Sequence, residues 1–384
     1  METASVRPFA LGPDQERLIE ETRRVAGEVL APVAAAGEPG RVNRPLVRAL
    51  GEEGLLARLF PKRVGGSADR DVSALELSLL REGLAQGSTE AETALAMQGL
   101  GGYPILQSGR ESVVMRWVPA IIRGDAVAAF ALTELGAGSD AGALKLPATR
   151  DGNGFRLTGV KTWISNAPDA DVYVIFARTT PDAGAKGVTA FLLGGDTAGL
   201  TGEPLHLLDD HPIGRLELDG CFVPADHVLG EIDAGFRVAM RTLDLFRPSV
   251  GAFAVGMAQA ALDAALSHAG SRKAFDRSLR EFQAVSHPLA EMATRIEAAR
   301  LLVYAAAAAY DSGGPGVTKA SAMAKLFATE TAQFVVDYAV QIHGAAALER
   351  GHLLERLYRT VRSPRIYEGT SEIQREIIAR ELYR

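Results

Sequence analysis

Cys221 is the only cysteine in the chain, which excludes an intrachain disulfide and a cysteine-cluster metal site. Beside Phe222 it reads as a small buried hydrophobe and not as a reactive thiol. Histidine is nearly as sparse, with seven in 384 residues. His206 and His211 share a loop and His343 and His352 stand nine apart, but none has the i, i+4 spacing or paired carboxylates of a metal site. They are expected to be structural, and no metal is expected. Positive charge is also in deficit: 41 Lys and Arg against 47 Asp and Glu leave a net charge of −6. With a pI near 5.8 this argues against nucleic acid as the partner, although a polyanionic small molecule can still bind through a local basic pocket. Long apolar runs are missing too. Residues 93–109 and 248–262 are broken by Gln, Gly and Ser, short of the roughly 18 apolar residues a spanning helix needs, so no transmembrane segment is expected. The N-terminal stretch has no basic region followed by an apolar core, and the default expectation is a cytosolic protein without a secretory signal. Neither a G-x-S-x-G elbow nor a P-loop occurs, so hydrolase and NTPase classes have no local support.

What is present is a chain long enough for two or three domains, with 47% hydrophobic and 23% charged residues and a mean hydropathy of +0.06. "PDQERLIEETRRVAGEVLAPVAA" and "VSALELSLLREGLAQG" place apolar residues at i, i+3, i+4 and i+7, so residues 1–125 read as a helical domain. The period then changes. "GFRLTGVKTWISNA", "DVYVIFART", "GVTAFLL" and "GRLELDGCFVP" are short β-branched and aromatic runs, with "DGNG" as a hairpin turn, so residues 126–233 read as a β domain. Helical periodicity returns over 234–384 in "ALDAALSHAGSRKAF", "HPLAEMATRIEAARLLVYAAAAAYDSG" and "TKASAMAKLFATETAQFVVDYAVQIHG", whose alanine-rich faces suit a bundle.

Two stretches invite chemistry. "FALTELGAGSDAGAL" has the strand-then-glycine look of a dinucleotide fingerprint, but its spacing is G-x-G-x-x-x-G and a β domain follows where a crossover helix is required. It is either a loop presenting backbone N–H groups and the Thr133 and Ser139 hydroxyls to a polar ligand, or a glycine-rich turn. In "IYEGTSEIQR", Ser371 and Gln374 have capping-box spacing, so a helix is expected to start two or three residues after Glu368. The Glu368 carboxylate then stands in the lead-in, beside a glycine that permits close approach to the backbone.

Taken in order, "ALTELGAGSD", "GVKTWISNA", "SRKAFDRSLREFQ", "QIHG" and "IYEGTSEIQR" resemble the acyl-CoA dehydrogenase family, and "PKRVGG" and "GRESVVMRWVPAIIRGD" extend the resemblance over nearly the whole chain. The resemblance implies an α+β multidomain fold: an N-terminal all-α domain, a central β-barrel or sandwich domain and a C-terminal four-helix bundle. It implies FAD as cofactor, an acyl-CoA substrate, an electron-transfer flavoprotein as electron acceptor, and a homo-oligomer, dimer or tetramer. The implied reaction is α,β-dehydrogenation to the trans-2-enoyl thioester, with flavin N5 accepting the hydride.

By the same resemblance Glu368 matches the catalytic base. Leu132, Thr133, Ser139, Trp163, Ile164 and Ser165 match contacts to the flavin ring, and Thr370 and Glu372 match further flavin contacts. Arg272, Phe275, Gln283, Gln341, Gly344 and the adjoining Ala345 match a site for the adenosine diphosphate part of FAD bound to a neighbouring subunit. Ser139, Asp244, Arg247, Gly369 and Arg380 match substrate contacts, and Met97, Gly101, Phe246 and Tyr367 are candidate pocket residues. Some relatives carry the base just before an arginine of the bundle; here that position is Phe246, which cannot take a proton.

The chain departs from the family at Ala345, Ala347 and Leu348, where relatives commonly show glycine, glycine and an aromatic, and at Asp276, which replaces a glycine after Phe275. Leu135 replaces a proline. A methyl where glycine allows close approach predicts weakened, not absent, FAD binding. The alternatives to the leading reading are an acyl-carrier-protein-linked dehydrogenase, an acyl-CoA oxidase, and a non-catalytic member kept for assembly.

Overall fold

The computed structural model describes residues 11–69 and 72–383. Its elements, in order, are helices α1 (Pro13–Val25), α2 (Ala31–Ala35), α3 (Arg44–Glu52), α4 (Ala74–Gly87), α5 (Thr89–Ser108) and α6 (Glu111–Ile122), then strands β1 (Ala128–Ala131), β2 (Ala148–Asp151), β3 (Gly154–Ser165), β4 (Val172–Arg178), β5 (Val188–Gly194), β6 (Leu200–Pro204), β7 (Ile213–Pro224) and β8 (Val228–Leu229). The long helix α7 (Gly235–Ser271) follows, then a small hairpin of β9 (Lys273–Ala274) and β10 (Arg277–Ser278), and helices α8 (Gln283–Asp311), α9 (Val317–His343), α10 (Leu353–Thr360) and α11 (Ser371–Leu382). An N-terminal helical region, a middle β region and a C-terminal helical region are thus all present. By compactness the described residues form two units. One holds the residues up to Val29, Ser73–Thr89 and everything from Leu245 onward; the other holds Leu30–Val72 and Glu90–Asp244.

In the second unit the strands form two open four-stranded sheets, ordered β1-β4-β5-β8 and β2-β3-β7-β6. Phe155 of β3 meets Phe191 of β5 edge-on at 5.2 Å between centroids, so the two sheets face each other as a sandwich and not as a closed barrel. The "DGNG" turn is as expected: Asp151 pairs with Gly154, leaving a two-residue turn in which Gly152 takes φ +54. Strands β2 and β6 were not expected from the sequence. Both are short and polar, with mostly exposed burial patterns, so they lack the alternation that marks a strand. Helix α5 packs on β1 through Gln98, whose amide accepts from Ala128 N (2.9 Å) and donates to Ala126 O (2.7 Å). A Cβ on Gly101 would lie 2.7 Å from the Ala128 side chain and 2.8 Å from its backbone. Gly101 therefore lets α5 pack closely against β1.

In the first unit α1 and α4 pack with the later helices. Ser73 caps α4, accepting from Glu76 N at 3.1 Å, and the Asp311 carboxylate at the end of α8 accepts from Ala74 N (2.7 Å) and Leu75 N (3.1 Å) of the same turn. Helix α7 is apolar enough by composition to cross a membrane, but 78% of its most apolar window is buried in protein. Its alanine-rich face joins Met292, Ile296 and Val303 of α8 and Ala328, Ala332 and Val335 of α9 in one core. Buried Glu82 of α4 ties this core together. It accepts from Arg300 Nε at 2.8 Å and Tyr304 Oη at 2.6 Å, while Arg300 also donates to Gln259 of α7 at 2.9 Å.

Helical periodicity suggested that α7 runs on through "SRKAF"; it stops at Ser271. Phe275 and Asp276 have φ 51° and 59°, the left-handed pair that a two-residue hairpin turn requires, and β9 pairs with β10 across them. The expected capping box is also displaced. Thr370, not Ser371, caps α11, accepting from Ile373 N at 3.3 Å, and the Gln374 side chain turns back to the carbonyls of Glu368 (3.1 Å) and Gly369 (3.0 Å). Cys221 is fully buried, in keeping with its inert reading.

Glycine in a helix interior normally costs about 1 kcal/mol against alanine. Gly256 is an exception, because an added Cβ would stand 2.5 Å from Glu82 O and 2.6 Å from Ala85 Cβ on α4. Gly256→Ala is expected to destabilise by about 1–3 kcal/mol, the range for overpacking. Denaturant unfolding checks this, and a variant more stable than the parent would mean that α4 and α7 separate at no cost.

Candidate active site

Glu368 lies in the helical unit, in a turn between a short 3-10 segment (Ser363–Arg365) and α11. Its backbone is left-handed at φ 51°, followed by Gly369 at φ 90°. A carboxylate residue in that region costs about 1–2 kcal/mol, so its surroundings must impose it. Helix α9 does so with two side chains. Lys325 donates from Nζ to Gly369 O at 2.7 Å, and Glu330 accepts from Ser371 Oγ at 2.6 Å and from Arg365 Nη2 at 2.9 Å, gripping the segment on both sides of the turn. Gln374, fully buried on α11, holds the Gly369 carbonyl as well and also that of Glu368.

With the carbonyls held, two groups of Glu368 are left without a hydrogen-bond partner among the described residues: its backbone N–H and its buried Oε2. Burial raises the Glu368 carboxyl above its ordinary range, and the positive charges of Arg81, Arg247 and Lys325 work against that rise. Arg81 is itself buried on α4, with Nη1 2.8 Å from Ser249 Oγ. Phe246 is 1% exposed in α7, a core side chain at the position where a base can otherwise reside. Arg247, a proposed substrate contact, is buried and close enough to act on Glu368; Arg380 is exposed on α11, and Thr370 and Glu372 open that helix.

The second cluster lies in the strand unit. Strand β3 shifts register against β7 between Lys161 and Ile164, and at this bulge Trp163 takes φ 53° with 45% of its surface exposed. Thr162 N donates to Thr133 O at 3.1 Å, which ties the end of β1 to the bulge. Lys161, fully buried, donates to Leu132 O (3.0 Å) and Glu134 Oε1 (2.9 Å). Glu134 in turn accepts from Lys145 N (2.7 Å) and Leu146 N (3.0 Å), so one ion pair closes the whole 132–146 loop. Desolvation lowers Lys161 to about 8, while Glu134 is held below the usual carboxylate range by the lysine. Ile164 is buried, Ser139 is exposed in the glycine loop, and Asp244 is half-buried on α7. The Ser165 hydroxyl pairs with His211 Nε2 at 2.7 Å, and burial pushes His211 down to about 4, holding it neutral.

The remaining predicted residues collect at the β9–β10 hairpin and the nearby helix ends of the helical unit. Arg272, Phe275, Gln283, Gln341, Gly344 and Ala345 are all exposed, Phe275 by 89%. Beneath them His268 stacks on His343 at 4.2 Å and His343 meets His352 at 5.6 Å. Among the described residues no group of three or more His, Cys, Asp or Glu could hold a metal. Ala347 is 0% exposed and belongs to the bundle core.

Family models cover almost the full length: the acyl-CoA dehydrogenase N-terminal domain over residues 12–125, the middle domain over 129–221 and the C-terminal domain over 233–383. The chain belongs to the acyl-CoA dehydrogenase family. The "probable acyl-CoA dehydrogenase FadE25" of Mycobacterium tuberculosis is 36% identical over 98% of this chain and 97% of its own length. The butyryl-CoA dehydrogenase of Megasphaera elsdenii superposes with a TM-score of 0.91 at 33% identity, over 98% of this chain and all of that one. A chain in a structure described as the electron transferring flavoprotein of Acidaminococcus fermentans also gives 0.91, at 35% identity, over 98% of this chain and 99% of that one.

As an acyl-CoA dehydrogenase the protein is an FAD-dependent oxidoreductase acting on a CH–CH bond of an acyl thioester. Its strand unit fits the isoalloxazine of FAD on observable grounds. An exposed indole stands at a bulge, a hydroxyl is held by a neutral imidazole, and added Cβ atoms at Gly136 and Gly138 would meet nothing within 4 Å. Sequence reading missed Lys161 and Lys325, took His211 only as a structural histidine and gave Gln374 only a capping role. The lysines lie inside the motifs "GVKTWISNA" and "SAMAKLFATE", where a lysine within an apolar run was the available signal.

The burial of Glu368 has a stability consequence. Its folded pKa is above the unfolded value, so the folded chain binds the proton more tightly and stability falls as pH rises from the unfolded pKa to the folded one. Glu368→Gln removes that penalty. It is expected to melt higher than the parent at pH 7, with the difference vanishing at pH values below the ordinary glutamate pKa. Equal melting curves at every pH would show that the three cations fully offset burial.

Proposed function

We propose that the protein dehydrogenates an acyl-CoA thioester to the trans-2-enoyl thioester with Glu368 as base. The observation that carries this is the Glu368 turn, in which one residue offers a buried carboxylate oxygen and a backbone N–H, both without a partner among the described residues. The N–H suits the thioester carbonyl oxygen, where negative charge develops as the α-proton leaves, and the carboxylate suits that proton. Burial raises the affinity of Glu368 for the proton, which narrows the gap to a weakly acidic C–H. Bound FAD supplies the acceptor for the β-hydride. Leu132, Thr133, Trp163, Ile164 and Ser165 of the strand unit would hold its ring. Arg247, buried beside the base, would orient the thioester with Gly369, and Arg380 would lie along the carrier.

Electron-transfer flavoprotein is the acceptor we favour, supported by the likeness to a chain from a structure so described. A homo-oligomer is supported by Phe275, an aromatic that the left-handed hairpin turn holds 89% exposed, with an edge contact to Phe282 at 6.3 Å. Arg272, Gln283, Gln341, Gly344 and Ala345 around it would then meet the adenosine diphosphate of a neighbour's FAD.

The test is anaerobic bleaching of bound flavin across a panel of acyl-CoA thioesters. Glu368→Gln keeps the shape and loses the base, so it is expected to retain flavin and ligand while reduction slows by about 10²–10⁴-fold, the usual contribution of a general base. Reduction at the parental rate would remove Glu368 from the role.

A further inference from the structure

Lys325 of α9 is 0% exposed, and its ammonium makes one hydrogen bond among the described residues, to Gly369 O at 2.7 Å. Holding a carbonyl needs only a neutral donor, and an ammonium has two more donors to satisfy and a charge to desolvate. A fully buried lysine is therefore unusual unless its charge has a use. The charged groups facing it are Glu368 on the turn, Arg247 on α7, Glu330 on its own helix and Glu372 on α11. Glu330 is engaged with Ser371 and Arg365, and Glu372 is exposed beside Arg375. Glu368, half-buried and with a buried Oε2 that has no partner among the described residues, is the acid with the strongest charge interaction with this lysine.

Resting on the reading of Glu368 as base, we propose that Lys325 is a positioning residue for the reaction: it pins the left-handed Glu368–Gly369 turn through the Gly369 carbonyl, and its charge keeps the Glu368 carboxylate in the ionised, proton-accepting form. The two tasks are separable. The hydrogen bond fixes where the N–H and the carboxylate point, and the charge adds to the field of Arg81 and Arg247, both of which act on Glu368 more strongly than Lys325 does. Arg81 and Arg247 add to the same field from α4 and α7, so removing Lys325 weakens the field without abolishing it. Burial pushes Lys325 itself down to about 8, so its charge is retained at neutral pH and lost in mildly alkaline solution.

The test is an infrared titration of the FAD-loaded, full-length chain, following the protonated-carboxyl band that Glu368→Gln removes. In Lys325→Met the midpoint of that band is expected to move up by about one pH unit. The acid limb of anaerobic flavin reduction should move with it, and Lys325→Arg should restore both. A folded Lys325→Met chain with an unmoved midpoint would falsify the proposal. Should neither variant fold, ¹³Cε-labelled lysine in the parent and in Glu368→Gln decides. A low-titrating lysine resonance that falls further in Glu368→Gln supports the pairing, and one that does not move overturns it. Failure of the underlying reading looks different: Glu368→Gln would then reduce flavin at the parental rate, whatever Lys325 does.

Discussion

Everything at the candidate site depends on holding one turn against its own preference. Glu368 and Gly369 both have positive φ, and for the glutamate this costs about 1–2 kcal/mol. The cost is offset by the hydrogen bonds from Lys325 and Gln374 to the two carbonyls, each worth about 1 kcal/mol or more when the donor is charged. Because those donors take the carbonyls, the N–H and the carboxylate oxygen are left over. The groups proposed to react are thus the ones that the scaffold does not bind. Gly369 sits at φ 90°, a conformation that favours glycine, and an added Cβ would lie 2.5 Å from the Gln374 amide nitrogen, disturbing one of the two donors that hold the turn.

The strand unit uses the same device. Lys161 is buried, bonded to the Leu132 carbonyl and lowered to about 8 by desolvation, much as Lys325 is bonded to Gly369 and lowered to about 8. The difference is in the counter-charge. Glu134 gives Lys161 a direct partner at 2.9 Å and spends its remaining capacity on two backbone N–H groups, which makes a closed structural clamp. Lys325 has no carboxylate within salt-bridge distance among the described residues. One lysine is consumed by its loop, and the other keeps its charge available to Glu368.

How much of this was legible in the sequence varies with the kind of signal. Strands β3, β4, β5 and β7 were legible because they are long, β-branched and half or fully buried, whereas β2 and β6 are polar edges whose pairing is decided by the neighbouring strand. The helical reading of "SRKAF" failed because periodicity reports a face and says nothing of φ, and two residues in left-handed geometry ended the pattern. Glu368 and Ser165 were found through their motifs, but the residues that hold each of them, Lys325 for the Glu368 turn and His211 for Ser165, were not. Lys325 acts across 44 residues and His211 across 46, and no local spacing encodes either contact. The capping-box reading missed for a related reason: Ser371 has a better acceptor in Glu330, and Gln374 in the turn behind it.

The departures from the family pattern separate once local backbone is considered. Asp276 stands where relatives commonly have glycine, and its φ of 59° explains the preference. Aspartate tolerates that region better than most residues, so the hairpin survives the exchange at modest strain. Ala347 is 0% exposed in the bundle core, so its methyl fills protein and has no bearing on anything outside. Gly344 keeps φ 66° for itself, and Ala345 beside it is exposed and free of positive φ. An effect of the Ala345 methyl would therefore come through contact with what approaches it and not through backbone strain. The three substitutions differ in kind: one is conformational, one is packing, and one faces outward, where a ligand can feel it.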